Sequence, residues 1–318
     1  MDKIIKFFNN SNSFALFCHH NPDGDAIGSI CALKLALKKK GKDCYVFCES
    51  NVPYNLEYLQ APLDSDESKI KACDALVLID CNNPHRTGKY EEYFSGTDQK
   101  IAIIDHHQIE EYAADCKLID PNSPSACDLV YEIIKGLEVE IDKDIAQFLY
   151  AGISSDTGCF VHPSTNVASH THTAELMAYG FDMPNANFEM FKRKPKGFLE
   201  FLNYYVSNTK SYFDDKLFLS VIDNKHYNKY KDFCEGCSYD FMQGIDGNEI
   251  CVRLTEKSKG QYNISFRSNK YINVSQIAKQ FAGGGHIRAS GGFSCEKKNV
   301  LIKRIVACCK EALESDKA

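Results

Sequence analysis

The sequence predicts an α/β protein with a larger amino-terminal domain, built on a mainly parallel sheet flanked by helices, and a smaller carboxy-terminal α/β domain. In the first half, three apolar runs each end in an acidic residue or a histidine, and the segments between them can hold helices. In the second half, three further strand-like segments precede a glycine-rich stretch. Because open parallel sheets bind ligands at the carboxyl ends of their strands, we expect a site where the three runs that end in an acidic residue or a histidine meet.

The first strand and the first helix of this pattern enclose a turn of ligand-type side chains. Residues 14–18 have the length and flanks of a buried strand, and residues 26–40 are typical of an amphipathic helix. The turn between them carries His19, Asp23 and Asp25. Asp25 alone could be the N-cap of the helix, but a cap needs one such residue, so the three together favour a metal site.

Three more apolar segments continue the sheet, at residues 44–48, 75–79 and 101–104. The segment that ends at Asp80 has no polar alternation, as expected for a strand covered on both faces. The last one ends at Asp105, His106 and His107. Since turns favour aspartate, one such ending would mean little, but three strands that end this way indicate a shared site.

Helices are predicted at residues 126–137, 142–153 and 165–179. Asp156 follows the second of them at a glycine turn, so it can point into the same edge of the sheet. His162, His170 and His172 are predicted to be solvated polar residues. His170 and His172 are two positions apart, so they do not share a helix face.

The chain changes character at residues 183–211, which we interpret as a partly helical connection. The predicted domains are therefore 1–185 and 212–318, joined by a linker at 186–211, with the active-site cleft between them. The second domain is predicted to contain strands at 216–222, 249–254 and 262–268, and helices at 274–281 and 300–313.

A glycine-rich stretch lies between these two helices, at residues 282–293. Consecutive glycines let backbone N–H groups approach an anion closely, and a helix that began just beyond would add its dipole. A flexible hinge is the alternative. The embedded His286 and Arg288 favour a phosphate or nucleotide contact.

Composition narrows the function classes. The 318 residues carry a formal net charge of -6, which gives no basic field for long nucleic acid, so a nucleic-acid partner should be short. No signal-peptide core and no membrane-spanning run is found, which predicts a cytoplasmic protein with no membrane partner. The 15 cysteines are then a reduced set, and the lone pair Cys234 and Cys237 is not expected to bind zinc.

The first domain supplies four carboxylates and two imidazoles to this edge of the sheet, with no thiolate among them. They are His19, Asp23, Asp25, Asp80, His106 and Asp156. Such ligands suit Mn²⁺, Mg²⁺ or Co²⁺, with zinc left open. Six ligands are too many for one catalytic ion that must keep open positions, so they predict two ions bridged by a shared carboxylate. Paired ions of this kind, about 3.5–4 Å apart, are a standard means of cleaving phosphate esters.

At these residues the sequence resembles the DHH phosphoesterases (the RecJ-like superfamily), a family named for the triplet present here as Asp105, His106 and His107. The other matches to family motifs are residues 19–29, Asp80 with Asn83 and Arg86, residues 156–158, and, for the DHH-associated domain, residues 283–286 with Ala289 and Gly291. The resemblance is strongest to compact bacterial enzymes that degrade very short oligoribonucleotides and dephosphorylate 3′-phosphoadenosine 5′-phosphate (pAp). It implies a manganese-dependent hydrolase of that kind, with a homodimer as the expected assembly.

Two alternatives stay open. Relatives in this group hydrolyse cyclic dinucleotides or their linear products, so a phosphodiesterase acting on c-di-AMP or pApA is the alternative hydrolase. A non-catalytic nucleotide sensor is the alternative from another class, although the complete ligand set argues against it. A RecJ-type exonuclease fits less well because such enzymes are generally larger. A family pyrophosphatase fits less well because the glycine-rich second domain is of the nucleic-acid type.

The resemblance also implies a role for each matching position. His19 and Asp23 would bind one manganese ion and Asp25 and His106 would bind the other, with Asp80 as the bridge.

Asp156 would complete the metal ligands, and Asp105 would orient a neighbouring ligand. His107 would contact the scissile phosphate or assist the leaving group, and Arg86 would pair with developing charge. The far phosphate or base would be held in the second domain by Arg267, Ser268, Gly284, Gly285 and His286.

Overall fold

The computed structural model describes residues 1–108, 112–231 and 241–315. The chain divides into two compact units, Met1–Arg193 and Lys194–Ala318, and the division lies inside the predicted connection at 186–211. The predicted α/β class is confirmed in both units. The pair Cys234 and Cys237 lies outside the described residues.

Parallel strands form the sheet of the first unit. In chain order they are β1 (Ser13–Phe17), β2 (Asp43–Phe47), β3 (Ala75–Ile79), β4 (Lys100–Asp105) and β5 (Cys116–Ile119). Their order across the sheet is β2-β1-β3-β4-β5. The ends of β1 to β4 lie within about one residue of the predicted positions. The sequence pattern does not predict β5, because this strand has only 4 residues and only the first of them is buried.

Helices flank this sheet. The α-helices are α1 (Asp2–Asn9), α2 (Gly24–Lys39), α3 (Ser68–Ala72), α4 (Ala126–Gly136), α5 (Lys143–Asp156), α6 (Val167–Met177) and α7 (Met183–Asn187). Shorter helical segments are two 3₁₀ segments, Tyr54–Leu59 and Pro84–Phe94, and a π-helical turn, Phe188–Lys192.

Both faces of the first sheet are covered. Phe14 and Leu16 of β1 pack into a buried cluster that includes residues of α1, α2, α4 and α5. Ala15 and Phe17 pack into a second cluster that includes residues of the Pro84–Phe94 segment. Since alternate side chains of a strand point to opposite faces, the sheet is buried on both sides, as its lack of polar alternation predicts.

Helix α2 is more deeply buried than an amphipathic helix, so that part of the prediction for residues 26–40 is wrong. Its first eleven residues are all buried. The physical reason is that α2 contacts α4 and α5 as well as the sheet. A Cβ at Gly28 would lie 2.4 Å from the carbonyl oxygen of Phe148. Glycine therefore lets α2 approach α5, the helix that ends at Asp156.

The second unit contains a mixed sheet. Its strands are β6 (Thr209–Tyr212), β7 (Leu217–Ile222), β8 (Ile250–Ser258), β9 (Gln261–Ser268), β10 (Gly284–Gly285) and β11 (Ala289–Ser294). Their order is β10-β11-β9-β8-β7-β6, in which β7 and β8 are parallel and the other neighbours are antiparallel. The described helices are α8 (Phe198–Ser207), α9 (Asn224–Lys229), α10 (Val274–Lys279) and α11 (Lys298–Ser315). Within the described ranges of both units, no helix combines the length and the apolar character that a bilayer crossing requires.

Candidate metal centre

Ligand-type side chains that follow β1, β3 and β4, or that lie at the start of α2 and the end of α5, meet at the carboxyl edge of the first sheet. Three triads offer ligand atoms that all lie within 4.8 Å of one another, namely His19, Asp23 and Asp80; Asp25, His106 and Asp156; and Asp80, His106 and His107. Because Asp80 and His106 each belong to two triads, the three form one continuous centre. The structure thus brings all six predicted ligands together.

Asp23 and Asp25, at the start of α2, are held in different ways. Asp23 is the N-cap of α2, since its Oδ1 accepts hydrogen bonds from the N–H groups of Asp25 and Ala26, both at 3.0 Å. The alternative in which Asp25 is the cap is therefore wrong. Asp25 is fully buried instead, and its carboxylate accepts the N–H groups of Ala126 (2.6 Å) and Cys127 (2.8 Å) at the start of α4.

Asp80 lies between the two imidazoles of the centre and has an unusual backbone conformation. Its Oδ2 lies 3.3 Å from His19 Nε2, and its Oδ1 lies 3.5 Å from His106 Nε2. Its φ is +59°, in the left-handed region, while its N–H donates to the carbonyl oxygen of Ile104 at 3.0 Å. Such a conformation costs roughly 1–3 kcal/mol at a residue with a side chain, and it persists where the surrounding structure enforces it.

Asp105 orients the residues that follow β4. Its Oδ1 accepts the backbone N–H of His106 at 2.8 Å and lies 2.8 Å from His107 Nδ1. Its Oδ2 accepts a hydrogen bond from Asn82 Nδ2 at 2.6 Å. These contacts fit the orienting role that the family resemblance implies. Asn82 is buried, and the sequence pattern does not reveal its part in the centre.

Negative charge is concentrated at this centre. Asp23 is exposed as a residue, but its carboxyl group is desolvated where it faces the centre; this desolvation, together with the carboxylates of Asp80 and Asp156, raises the pKa of Asp23 to about 6. Burial and the same two carboxylates raise the pKa of Asp25. Burial alone would lower the pKa of His106, but its contacts with Asp156 and Asp80 raise it to about 12. The clustered carboxylates therefore favour a bound positive charge, either a proton or a cation.

A divalent cation fits this donor set. Asp80 Oδ1 and His106 Nε2 are both buried and have charged neighbours, with His106 Nε2 3.1 Å from Asp156 Oδ2, but neither makes a hydrogen bond of good geometry within the described part of the chain. Because buried polar atoms rarely lack a partner, these two atoms indicate a ligand shared by the triads to which they belong. Carboxylates and imidazoles without a thiolate suit Mn²⁺, Mg²⁺ or Co²⁺.

Arg86 lies next to this centre, half-buried on the Pro84–Phe94 segment. Its carbonyl oxygen accepts the backbone N–H of His20 at 2.7 Å and lies 2.9 Å from His20 Nδ1. Burial and the charge of Arg86 lower the pKa of His19, while Asp80 and Asp23 raise it, with a net rise. The Arg86 backbone thus binds the turn that carries His20, and the charge of its side chain opposes protonation of His19.

The histidines predicted to be solvated divide into two groups. His162 and His170 are exposed, as predicted. His172 is only 9% exposed, so the prediction for this residue is wrong. Its ring lies between the carboxylates of Asp128 and Glu132 on α4. The packing of α6 against α4 buries it, and the spacing within a single helix cannot show this.

In the second unit, Arg267 and Ser268 end β9 and His286 follows β10. Arg267 is half-buried and His286 is exposed. Ser268 is buried, and its hydroxyl donates to the carbonyl oxygen of Ile272 at 2.6 Å. The Ser268 hydroxyl is therefore engaged in the turn that follows β9.

The two glycines predicted to contact substrate form β10, which pairs with β11. The element just beyond is thus a strand, and the helix dipole considered for this stretch is not available. Gly285 has a φ of +133°, and a Cβ there would lie 2.8 Å from the carbonyl oxygen of Ala289. A Cβ at Gly284 would meet no atom within 4 Å. Close packing explains Gly285, whereas Gly284 borders open space.

Two family models match the chain. That of the DHH family, N-terminal domain, matches residues 13–153, and that of the DHHA1 domain matches residues 237–311. The bifunctional oligoribonuclease and PAP phosphatase NrnA of Bacillus subtilis is 25% identical over 316 residues, which cover 97% of this chain and 98% of the relative. The protein of the same name from Thermus thermophilus is 28% identical over 281 residues, covering 86% and 81%.

Solved structures show the same fold. An exopolyphosphatase-related protein from Bacteroides fragilis has a TM-score of 0.86 and 25% identity, covering 99% of this chain and 95% of that one. RecJ in complex with Mn²⁺ from Thermus thermophilus has a TM-score of 0.52 and 13% identity, covering 96% and 53%, and shares the fold. With a DHH domain followed by a DHHA1 domain, the chain belongs to the DHH family.

Proposed function

We propose that the protein is a two-metal phosphoesterase that hydrolyses short oligoribonucleotides to mononucleotides and removes the 3′-phosphate of pAp. The observation that carries this proposal is the convergence of six ligand side chains on one centre, in which Asp80 and His106 are each shared by two triads. The substrate class is supported by relatives named bifunctional oligoribonuclease and PAP phosphatase. The net charge of -6 agrees with a short substrate.

The residues that would hold the ions follow from the triads. His19 and Asp23 would hold one ion, and Asp25 and His106, joined by Asp156, would hold the other. Asp80 would lie between the two ions. We propose Mn²⁺ for both, and Mg²⁺ or Co²⁺ suit the same ligands. Bound there, the ions would supply an activated water and would neutralise charge on the attacking and leaving oxygens.

Two residues around the ligands would act on the phosphate, and a third would orient one of them. Asp105 holds the His107 ring at Nδ1, so His107 would use Nε2 to contact the scissile phosphate or to give a proton to the leaving oxygen. Arg86 would pair with the charge that develops on the phosphate, because its planar guanidinium matches two phosphate oxygens.

The second unit would hold the far phosphate or the base of the substrate. Arg267 and His286 would supply charge, and Gly284 and Gly285 would let the backbone approach an anion. Ser268 would contribute by keeping the turn after β9 in place, since its hydroxyl already donates to Ile272. We propose residues 212–318 as this substrate-binding domain and residues 1–185 as the catalytic domain.

The test is product analysis with purified protein and Mn²⁺. The substrates are pAp, a short and a longer RNA oligonucleotide, and c-di-AMP, each with and without EDTA. Mononucleotides from the short RNA and phosphate from pAp, both abolished by EDTA, are expected. Turnover of c-di-AMP alone would identify a cyclic-dinucleotide phosphodiesterase instead. Binding of Mn²⁺ and pAp without turnover of any substrate would identify a sensor.

A matched pair of variants assigns the activity to this centre. Asp80→Asn removes the charge shared by two triads and should abolish turnover. Asp98→Asn makes the same chemical change at an exposed position before β4, at the opposite end of the strand, and should leave turnover unchanged. Full activity of Asp80→Asn would refute the proposed site.

A further inference from the structure

The carboxylate of Asp25 is held in place by α4, and α4 is itself held by contacts outside the metal centre. Asp25 is fully buried, and both of its oxygens accept N–H groups from the first turn of α4. The position of this carboxylate therefore depends on where the amino end of α4 lies. The loop before α4 contacts a second predicted ligand, because His106 Nδ1 lies 3.3 Å from the carbonyl oxygen of Ser123.

The amino end of α4 is closed by a reciprocal pair of hydrogen bonds. The backbone N–H of Asp128 donates to Ser125 Oγ at 3.0 Å, and Ser125 Oγ donates to Asp128 Oδ2 at 2.9 Å. Both residues are buried. The Asp128 carboxylate therefore fixes the cap residue that immediately precedes Ala126 and Cys127, the two donors to Asp25.

His172 of α6 holds the other oxygen of this carboxylate. Its Nδ1 lies 2.6 Å from Asp128 Oδ1, and its Nε2 lies 3.0 Å from Glu132 Oε1. The ring also stacks on Tyr131 with a centroid separation of 4.3 Å. Because each ring nitrogen faces a carboxylate oxygen, the arrangement favours the doubly protonated imidazole, in which both nitrogens donate and the ring carries a positive charge. Burial lowers the pKa of His172, but Asp128 and Glu132 raise it overall.

We propose that His172 is a positioning residue for the metal centre, which acts through Asp128 and the first turn of α4 on the Asp25 carboxylate. The inference rests on the proposed function, since it concerns the ion that Asp25 would help to hold. Removing a residue that hydrogen-bonds to a metal ligand commonly lowers metal affinity or activity by about 10–100-fold. Because His172 acts on Asp25 only through Asp128 and α4, we expect its replacement to weaken metal binding by about tenfold.

Two substitutions of His172 separate positioning from simple packing. Asn places its amide N–H near the position of Nδ1, so His172→Asn can still donate to Asp128. Gln places its amide N–H near the position of Nε2, so His172→Gln can reach Glu132 but not Asp128. Positioning therefore predicts a loss in His172→Gln that His172→Asn largely restores.

Tyr131→Phe is the matched control. The Tyr131 hydroxyl donates to Glu175 and so also joins α4 to α6, but in the described part of the chain it does not hydrogen-bond to Asp128. This variant should lower stability without changing metal binding. If His172 only joins two helices, His172→Gln should behave in the same way.

The experiment measures Mn²⁺ affinity by calorimetry, kcat and KM on pAp, and the midpoint of thermal unfolding in EDTA. We expect about tenfold weaker Mn²⁺ binding in His172→Gln, recovery to within about threefold in His172→Asn, and unchanged Mn²⁺ binding in Tyr131→Phe. Raising the Mn²⁺ concentration should restore much of the kcat that His172→Gln loses. If His172→Gln does not fold, Asp128→Asn tests the same contact from the other side and should show the same loss.

Wild-type Mn²⁺ affinity in a folded His172→Gln or Asp128→Asn variant would overturn this inference and leave the proposed function intact. An equal loss in His172→Asn and His172→Gln would overturn it as well. If the wild-type protein neither binds Mn²⁺ nor hydrolyses pAp or short RNA, the proposed function fails and the inference fails with it.

Discussion

Asp105 Oδ1 lies 2.8 Å from His107 Nδ1, and the same oxygen accepts the backbone N–H of both His106 and His107. One buried carboxylate oxygen thus fixes the chain direction after β4 and the orientation of the His107 ring. With Nδ1 as the donor, Nε2 is the nitrogen that His107 would use in its proposed role toward the phosphate.

Replacing Asp105 should therefore impair catalysis more than folding. In Asp105→Asn the amide can present N–H groups to His107, which disfavours the required ring orientation, and we expect kcat on pAp to fall by about 10–100-fold. The measurement is steady-state kinetics at saturating Mn²⁺, with Asp98→Asn as the variant expected to match wild type. A wild-type kcat in Asp105→Asn would show that this carboxylate does not set the orientation of His107.

The energetic cost of the left-handed backbone at Asp80 can be measured directly. Asp80→Gly and Asp80→Ala both remove the ligand, so neither should be active, but only glycine adopts a φ near +59° without strain. We expect Asp80→Gly to be more stable than Asp80→Ala by about 1–2 kcal/mol, opposite to the usual order of these residues. Urea unfolding in EDTA gives the comparison, and equal stability would mean that the backbone at this position is not strained.

The charged His172 predicts a pH dependence of stability. Burial lowers the pKa of His172, but Asp128 and Glu132 raise it above its unfolded value of about 6.5. The proton therefore stabilises the folded state fully below the unfolded pKa, and this contribution is lost as the pH rises through the folded pKa. The difference in unfolding free energy between wild type and His172→Asn, measured in EDTA, should be largest at low pH and shrink as pH rises. A difference that grows with pH would contradict a charged His172.

The adjacent glycines of β10 should respond differently to alanine. A Cβ at Gly285 would lie 2.8 Å from the carbonyl oxygen of Ala289 and its φ is +133°, so Gly285→Ala should destabilise the protein by roughly 1–3 kcal/mol. A Cβ at Gly284 would meet nothing within 4 Å, so Gly284→Ala should fold normally. If Gly284 contacts substrate, its alanine variant should raise KM for short RNA while kcat stays near wild type. An unchanged KM would remove Gly284 from the proposed substrate site.

Much of the candidate metal centre could be predicted from sequence because His19, Asp80 and His106 come just after apolar strands. The positions of β3 and β4 place Asp80 and His106 at one edge of the sheet. The start of α2, which follows the first strand, adds Asp23 and Asp25. Local pattern did not show which aspartate caps α2, since Asp23 and Asp25 are both suitable residue types. The choice depends on α4, whose N–H groups occupy the Asp25 carboxylate from 101 and 102 positions away.

The features that sequence did not reveal depend on contacts between elements. His172 is buried because α6 packs on α4, and the left-handed backbone at Asp80 occurs where its N–H donates to Ile104 of the neighbouring strand. In the second unit, the glycines that suggest an anion-binding loop also serve strand pairing, because β10 approaches β11 too closely for a side chain at Gly285.

The path of the chain through the metal centre has a consequence for synthesis of the protein. The predicted ligands run from His19 to Asp156, and the first of the buried carboxylates is held by residues far along the chain. A nascent chain that ends before α5 therefore lacks Asp156, so an ion that needs all six predicted ligands would find them only once α5 has been made. It would act on the assembled unit, where binding shifts the equilibrium toward the native state by mass action.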